Sequence, residues 1–252
     1  MVRVALLQFQ MEEDTKKSIE GVIKLLKNAE GAEADIVCLP EQWYPKIVQF
    51  FEQDFKDIIS IASEHSSTVI MGAFLEQIEK STYISCPVID SKGTLLGRQF
   101  KIHPFGNERS MVKNGNKVEI FTVGKYKFGI AICHDVVFPE VSRAITRKDA
   151  DLIFYPSRIR EEGLEPWHLY VQVRALENRI PVAAPNVCNK EFGGKSIIVD
   201  LEYDEKANIA LPKPAIASVN EQILVMDIDV ENARKMRNLR SEDFKNDLYR
   251  SL

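Results

Sequence analysis

Apolar positions follow two alternating rhythms along most of this chain. Val2–Phe9 is apolar at nearly every position, the pattern of a strand covered on both faces. The period then changes. Ile19, Val22, Ile23, Leu26 and Ala29 recur at three- and four-residue steps, predicting a helix that Asp14 caps and that ends near Gly31. Asp35–Leu39 is a short apolar strand halted by Pro40, and Lys46 to about His65 reads as a second helix through Ile47, Phe50, Phe51, Phe55, Ile58, Ile59 and Ala62. Val69–Phe74 is again a strand. Tyr83–Ile89 and Thr94–Phe100 flank Asp90-Ser91-Lys92-Gly93, a hairpin turn.

The second half repeats the scheme. Val118–Val123 and Tyr126–Cys133 form a hairpin around Gly124, Pro139 starts a helix to about Lys148, and Asp151–Tyr155 is a strand. Trp167–Arg179 is a helix. Strands follow near Val182–Pro185, Ser196–Val199 and Ile223–Ile228, and a terminal helix begins near Val230. Strands alternating with helices, with antiparallel hairpins among them, predict a layered α/β sandwich with a mixed sheet. No linker, repeat or composition break divides the chain, which reads as one domain over residues 1–252.

Composition narrows the class. The 252 residues are 45% hydrophobic with 12 Gly and 11 Pro, which excludes disordered and fibrous chains. Lys plus Arg is 33 against 37 Asp plus Glu, a net −4, with no run of more than two basic residues, so nucleic acid is not an expected partner. No stretch approaches the ~18 apolar residues of a membrane span, and the opening MVRVALLQFQ reads as a first strand rather than a signal peptide. Cys38, Cys86, Cys133 and Cys188 are widely scattered, neither a metal pair nor a disulfide framework, which fits free thiols in a reducing cytoplasm.

In layered α/β folds, ligands gather at the carboxyl ends of strands. Three chemically different groups stand there: Glu41 after Asp35–Leu39, Lys101 after Thr94–Phe100, and Cys133 at the end of the strand running through Phe128–Ile132. They fit one reaction. A thiol is only a few per cent ionised at neutral pH and needs a base, which Glu41 supplies. Lys101 and the backbone N–H of His134 are donors for a developing oxyanion. Taken alone, Cys133 reads as a core thiol; the three together read as a catalytic triad. Cys38 and Cys86 read as core, and Cys188 lies near a strand end. His134 as a Cys–His base is disfavoured, because adjacent residues of an extended chain point apart. A Cys133-His134 metal site lacks a second ligand pair.

The sequence resembles the carbon–nitrogen hydrolase (nitrilase) superfamily over nearly its whole length. The residues that carry this are Ile36-Val37-Cys38-Leu39-Pro40-Glu41, Gly97-Arg98-Gln99-Phe100-Lys101-Ile102-His103 and Gly129-Ile130-Ala131-Ile132-Cys133-His134-Asp135 through Phe138-Pro139-Glu140. The helix with Arg174-Ala175-Leu176-Glu177-Asn178 and the stretch Phe192-Gly193-Gly194-Lys195-Ser196 also match. The resemblance implies a four-layer α-β-β-α sandwich with mixed sheets that dimerises by stacking helices. It implies a Glu41–Lys101–Cys133 triad with Glu108 as a supporting second glutamate. The chain departs from the family at His134, Pro104 and Pro166, and only 27 residues separate Glu41 from Val69, a shorter segment than many relatives have.

The expected activity is hydrolysis of a small amide through a Cys133 thioester, with ammonia released and no cofactor or metal required. An N-carbamoyl hydrolase or a nitrilase is the alternative within the family, and a non-catalytic interaction scaffold the alternative outside it. For substrate contacts the candidates are Trp43, Ser157, Arg158 and Arg160, the arginines as partners for a substrate carboxylate. Arg174, Glu177 and Asn178 read as a structural polar network.

Overall fold

The computed structural model describes residues 1–242, so the last ten positions of the domain expected over 1–252 lie outside the described residues. Six strands build most of a first sheet: β1 (Val2–Gln8), β2 (Ile36–Cys38), β3 (Thr68–Ile70), β4 (Phe74–Ile78), β5 (Ser81–Ile89) and β6 (Leu95–Phe100). A second sheet takes β7 (Ile120–Val123), β8 (Tyr126–Ile130), β9 (Leu152–Phe154), β10 (Val182–Ala184), β11 (Ile197–Asp204) and β12 (Ile209–Ile216), paired in chain order. The chain then returns to the first sheet as β13 (Gln222–Ile228), antiparallel to β1. Parallel pairs at β1–β2–β3 and β8–β9–β10 sit at the centre of each sheet, with antiparallel strands outside them.

Two-residue periodicity decides the layers. Val4, Leu6, Ile36, Cys38 and Ile70 of the first sheet meet Phe128, Ile130, Leu152, Phe154 and Ile198 of the second in one fully buried interface. The alternate residues face helices. Ala5, Leu7, Val37 and Val69 pack under α1 (Thr15–Glu30), capped by Asp14 through the Lys17 N–H, and under α2 (Phe51–Asp54) and α3 (Lys56–Glu64). Beyond the four-residue α4 (Glu108–Met111), Ile153, Tyr155 and Val182 pack under α5 (Pro139–Arg147) and α6 (Leu164–Asn178), and α7 (Val230–Glu242) adds Ala233 and Met236. The result is the four-layer α-β-β-α sandwich. Gly129 lets α5 approach, since a Cβ there would stand 2.3 Å from Ile145 Cγ2. Among the described residues no helix is long and apolar enough to cross a membrane.

Three expectations change. The helix expected from Lys46 starts at Phe51 and is split at Phe55, because residues 46–50 are drawn onto the first sheet: the Val48 N–H donates to the Leu75 carbonyl, and Gln77 N–H to that of Val48. Val69–Phe74 is two strands, broken at Gly72, whose φ is +67°. The strand expected near Ser196–Val199 extends to Asp204 and forms a hairpin with β12, a strand that carries Pro212 and Pro214. β12 lies at the sheet edge, where two prolines of the same parity lose no ladder bond.

All four cysteines are free thiols. Burial pushes Cys38 and Cys86 well above the ordinary thiol range and Cys188 to about 11. The folded chain therefore keeps protons that the unfolded chain surrenders above about pH 8.5, and stability falls as pH rises through the window between the two values. A melting temperature at pH 10.5 clearly below that at pH 8 is the expected result; an unchanged one contradicts the burial argument.

Candidate active site

The three reactive groups arrive from both sheets. Glu41 follows β2 by Leu39-Pro40, Lys101 directly follows β6, and Cys133 follows β8 and opens a 3-10 turn, Cys133–Val137, leading into α5. Their side chains converge. Lys101 Nζ donates to Glu41 Oε1 at 2.7 Å and to Glu108 Oε2 at 2.8 Å, and the Cys133 thiol hydrogen-bonds to the Glu41 carboxylate. Glu41 is 2% exposed and Lys101 1%. Ions so enclosed persist only because each is paired. Glu108 is itself held, accepting from the Phe105 N–H at 2.7 Å.

Cys133 has a left-handed φ of +46°, a conformation that costs a non-glycine residue roughly 1–2 kcal/mol. The turn aims the thiol out of the strand direction toward Glu41. Burial, then the Glu41 charge, push the thiol far above its usual range, while Lys101 and the Arg158 N–H pull it down. Burial pulls the Lys101 pKa down, but Glu41, Cys133 and Glu108 outweigh it and raise the ammonium above its usual range. The resting site thus holds a neutral thiol and an ammonium, both against the Glu41 side chain.

A single loop after β9 aligns Glu41 and Cys133. The Pro156 carbonyl accepts the Cys133 N–H at 2.9 Å, the Ser157 carbonyl accepts the Glu41 N–H at 3.1 Å, and the Arg158 N–H donates to the Cys133 sulfur. Asn186 fixes the far side of that loop, its Oδ1 accepting the Ile159 N–H at 2.7 Å. Asp135, fully buried, accepts from the N–H groups of Ile132 (2.9 Å), His103 (2.8 Å) and Ile102 (3.3 Å), and pairs with His103 Nδ1 at 2.9 Å. It ties the strand that delivers Lys101 to the one that delivers Cys133. Sequence reasoning passed over the roles of Asp135, Pro156 and Asn186. Their signals were faint: an acid two places after Cys133, and an amide and a proline bounding apolar strands.

The backbone N–H of Cys133 goes to Pro156 and that of Asp135 to the Ile132 carbonyl; the intervening His134 N–H has no acceptor among the described residues. The His134 ring packs against Phe105 and Phe138, and burial followed by the Lys101 charge lower its pKa, so it is neutral at pH 7. The thiol's partner is Glu41, not this imidazole. Behind the turn, Arg174 donates to the Val136 carbonyl at 2.8 Å and the Val137 carbonyl at 3.0 Å while pairing with Glu177, which also accepts from Asn178. That is the polar network expected of these three residues.

The substrate candidates fare differently. Trp43 is fully enclosed among Phe9, Tyr44, Phe55 and Phe74, with its indole N–H on the Met71 carbonyl, and offers no open face; it is core beneath the Glu41 loop. Ser157 is also fully buried, its hydroxyl spent on the Tyr155 carbonyl. Arg160 is exposed and ion-paired with Glu191. Arg158 is half-buried, its guanidinium 5.2 Å above the Phe192 ring. Of the four, it alone combines a partly open side chain with a backbone contact to Cys133.

Gly72 supports the Glu41 segment from below. An added Cβ would stand 2.1 Å from the Pro40 carbonyl oxygen, one residue before Glu41. Gly72→Ala is expected to cost about 2–4 kcal/mol through strain and overpacking and to lower turnover more than it raises KM. Wild-type melting and kinetics in this variant would contradict that.

The Carbon-nitrogen hydrolase family model matches residues 3–238. The Omega-amidase NIT2 of Xenopus tropicalis is 26% identical over 259 residues, covering 93% of this chain and 91% of its own. The Probable nitrilase C965.09 of Schizosaccharomyces pombe is 31% identical over 209 residues, covering 79% and 74%. Among solved structures, Saccharomyces cerevisiae Nit3, a member of branch 10 of the nitrilase superfamily, superposes with a TM-score of 0.84 over 97% of this chain and 96% of its own at 22% identity, a likeness of fold.

Proposed function

The chain belongs to the carbon–nitrogen hydrolase family and is an enzyme of the amidase and nitrilase type; from that premise we propose that it hydrolyses a small amide through a Cys133 thioester. The observation that carries the reading is the contact set of Glu41, which meets the Cys133 thiol and the Lys101 ammonium at once. Glu41 takes the thiol proton as sulfur attacks the amide carbon. The oxyanion forms against Lys101 and the His134 N–H, donors worth typically about 3–4 kcal/mol each in such sites. Glu41 then passes the proton to the leaving nitrogen, ammonia departs, and the thioester remains. Water, deprotonated by Glu41, attacks that thioester; collapse of the second tetrahedral species releases the acid, and the thiol regains its proton. Glu108 keeps Lys101 oriented.

The further elements of the proposal are a single domain, a homodimer or higher homo-oligomer, a cytoplasmic location and no nucleic-acid partner. Four free thiols fit a reducing compartment.

For substrate recognition, Arg158 is assigned to a carboxylate remote from the scissile amide, which would make the substrate an ω-amide of a dicarboxylic acid. An ammonia-release screen over short neutral amides, ω-amides, nitriles and N-carbamoyl amines tests the reaction class. Release of carbon dioxide with the ammonia would move the assignment to an N-carbamoyl hydrolase. Total inactivity with no acyl adduct on Cys133 would revive the scaffold reading. Arg158→Ala is expected to raise KM for anionic amides by about 10–100-fold, the scale of one charge-assisted pair, and to leave neutral amides unaffected. Equal effects on both would remove Arg158 from recognition.

A further inference from the structure

The loop after β9 carries two arginines, and the neighbouring strap 189–193 treats them differently. Arg160 is ion-paired with Glu191. The Arg158 guanidinium lies 5.2 Å from the centroid of the Phe192 ring and makes no side-chain hydrogen bond or ion pair among the described residues. We propose that Phe192 is a positioning residue for substrate recognition: its ring face holds the Arg158 guanidinium in the orientation that receives the substrate's remote carboxylate. This rests on the assignment of Arg158 to that carboxylate.

The strap is built to hold the ring still. Asn189 Oδ1 accepts the Glu191 N–H at 2.7 Å and the Phe192 N–H at 2.8 Å, while the Asn189 N–H donates to the Phe192 carbonyl at 3.1 Å. Phe192 forms an antiparallel bridge with Arg160, and the Gly193 N–H donates to the Ile159 carbonyl at 3.3 Å, so strap and loop run side by side. A larger residue at 193 would part them, since a Cβ there would stand 2.3 Å from Leu164 Cδ1. Just before the strap, the Cys188 N–H donates to the Phe9 carbonyl at 2.8 Å and the Cys188 carbonyl accepts the Met11 N–H at 3.1 Å, which anchors it to the end of β1. Phe192 itself is only 6% exposed.

Geometry decides what the ring contact leaves free. A guanidinium seated on an aromatic face spends that face, while its N–H donors lie in its plane and remain open to a bidentate carboxylate. An arginine loose in solvent must surrender rotamer freedom when it grips a ligand, and one already seated surrenders less. The Arg158 backbone is held too, by the bond from its N–H to the Cys133 sulfur. Glu191, by occupying Arg160, leaves Arg158 as the member of the pair with an open fork.

Steady-state kinetics on two amides of equal length, an ω-amide bearing a carboxylate and a neutral one, test this in the parent, Phe192→Leu, Arg158→Ala and the double variant. Leucine keeps apolar bulk and removes the ring face. Phe192→Leu is expected to raise KM for the anionic amide about threefold to tenfold, the scale of one partly desolvated cation–π contact, with kcat and the neutral amide within about twofold of the parent. In the Arg158→Ala background the same change should add nothing. Thermal melting checks folding, and Phe192→Met replaces the leucine variant if that one does not fold. A role in packing alone would lower kcat or affect both amides alike, and either result overturns the proposal. So does a parental KM for the anionic amide in Phe192→Leu while Arg158→Ala discriminates between the two; the carboxylate assignment then survives without Phe192. If Arg158→Ala affects both amides equally, or the parent turns over no anionic amide, the carboxylate assignment fails and the role of Phe192 with it.

Discussion

Cys133→Ala is expected to reduce turnover of any amide that the enzyme accepts by about 10⁴-fold or more, the scale seen when a covalent nucleophile is removed. Nothing else in the site can replace it. Glu41 and Lys101 are 2% and 1% exposed and face each other, so the reacting carbonyl must come to the sulfur on its turn. Alanine tolerates the φ of +46° no worse than cysteine does, and the Cys133 N–H would still reach Pro156. Melting should therefore change little. Rapid-quench mass spectrometry of the parent should find an acyl mass on Cys133, absent in the variant. A Cys133→Ala protein that retains even a tenth of parental turnover would end the thioester mechanism.

Asp135→Ala should have the largest effect of any change that touches no reacting atom. Its carboxylate receives three backbone N–H groups, those of Ile132, His103 and Ile102, and faces the His103 ring. Removing it leaves the buried Ile132 N–H without an acceptor at about 1–3 kcal/mol and the part-buried His103 and Ile102 N–H groups at the low end of that range, a total of roughly 3–5 kcal/mol. At about 2–4 °C per kcal/mol for a chain of this size, melting should fall by roughly 10 °C. Turnover should fall with it, because the connection that sets Lys101 against Cys133 is cut, and a misplacement of ~1 Å can cost about 10²-fold. The loss should sit in kcat more than in KM, and Asp135→Asn, which keeps one acceptor oxygen, should recover part of it. A kcat within threefold of the parent in a folded Asp135→Ala would show that the two strands hold their register without this residue.

How much of this was legible beforehand differs from group to group. Glu41, Lys101 and Cys133 were visible because each ends an apolar run, and strand ends of layered α/β folds share one rim. Asp14 was visible as a cap because the helix behind it has a clear period. The segment 46–50 was misread, since Ile47 and Phe50 continue the helical spacing while its backbone is claimed by β4 in bonds that no local pattern encodes. β12 carries Pro212 and Pro214, whose harmlessness depends on an edge position. Trp43 and Ser157 were taken for substrate contacts because they stand beside the site in sequence, yet packing turned both inward.

The sequence alone determined the alternation of strands and helices, the buried faces of each, and which three candidate groups stand at strand ends. Those properties are local: they depend on period, residue type and neighbours within a few positions. Tertiary structure decided everything that joins distant segments. It set the Pro156–Ser157–Arg158 loop across both Glu41 and Cys133 and stretched Asp135 between the Lys101 and Cys133 strands. It also set the Phe192 ring against Arg158, about thirty positions earlier in the chain. Such groupings follow from how two sheets pack, and backbone N–H and carbonyl groups, which every residue carries alike, do most of the joining. A sequence cannot announce which of those will be used.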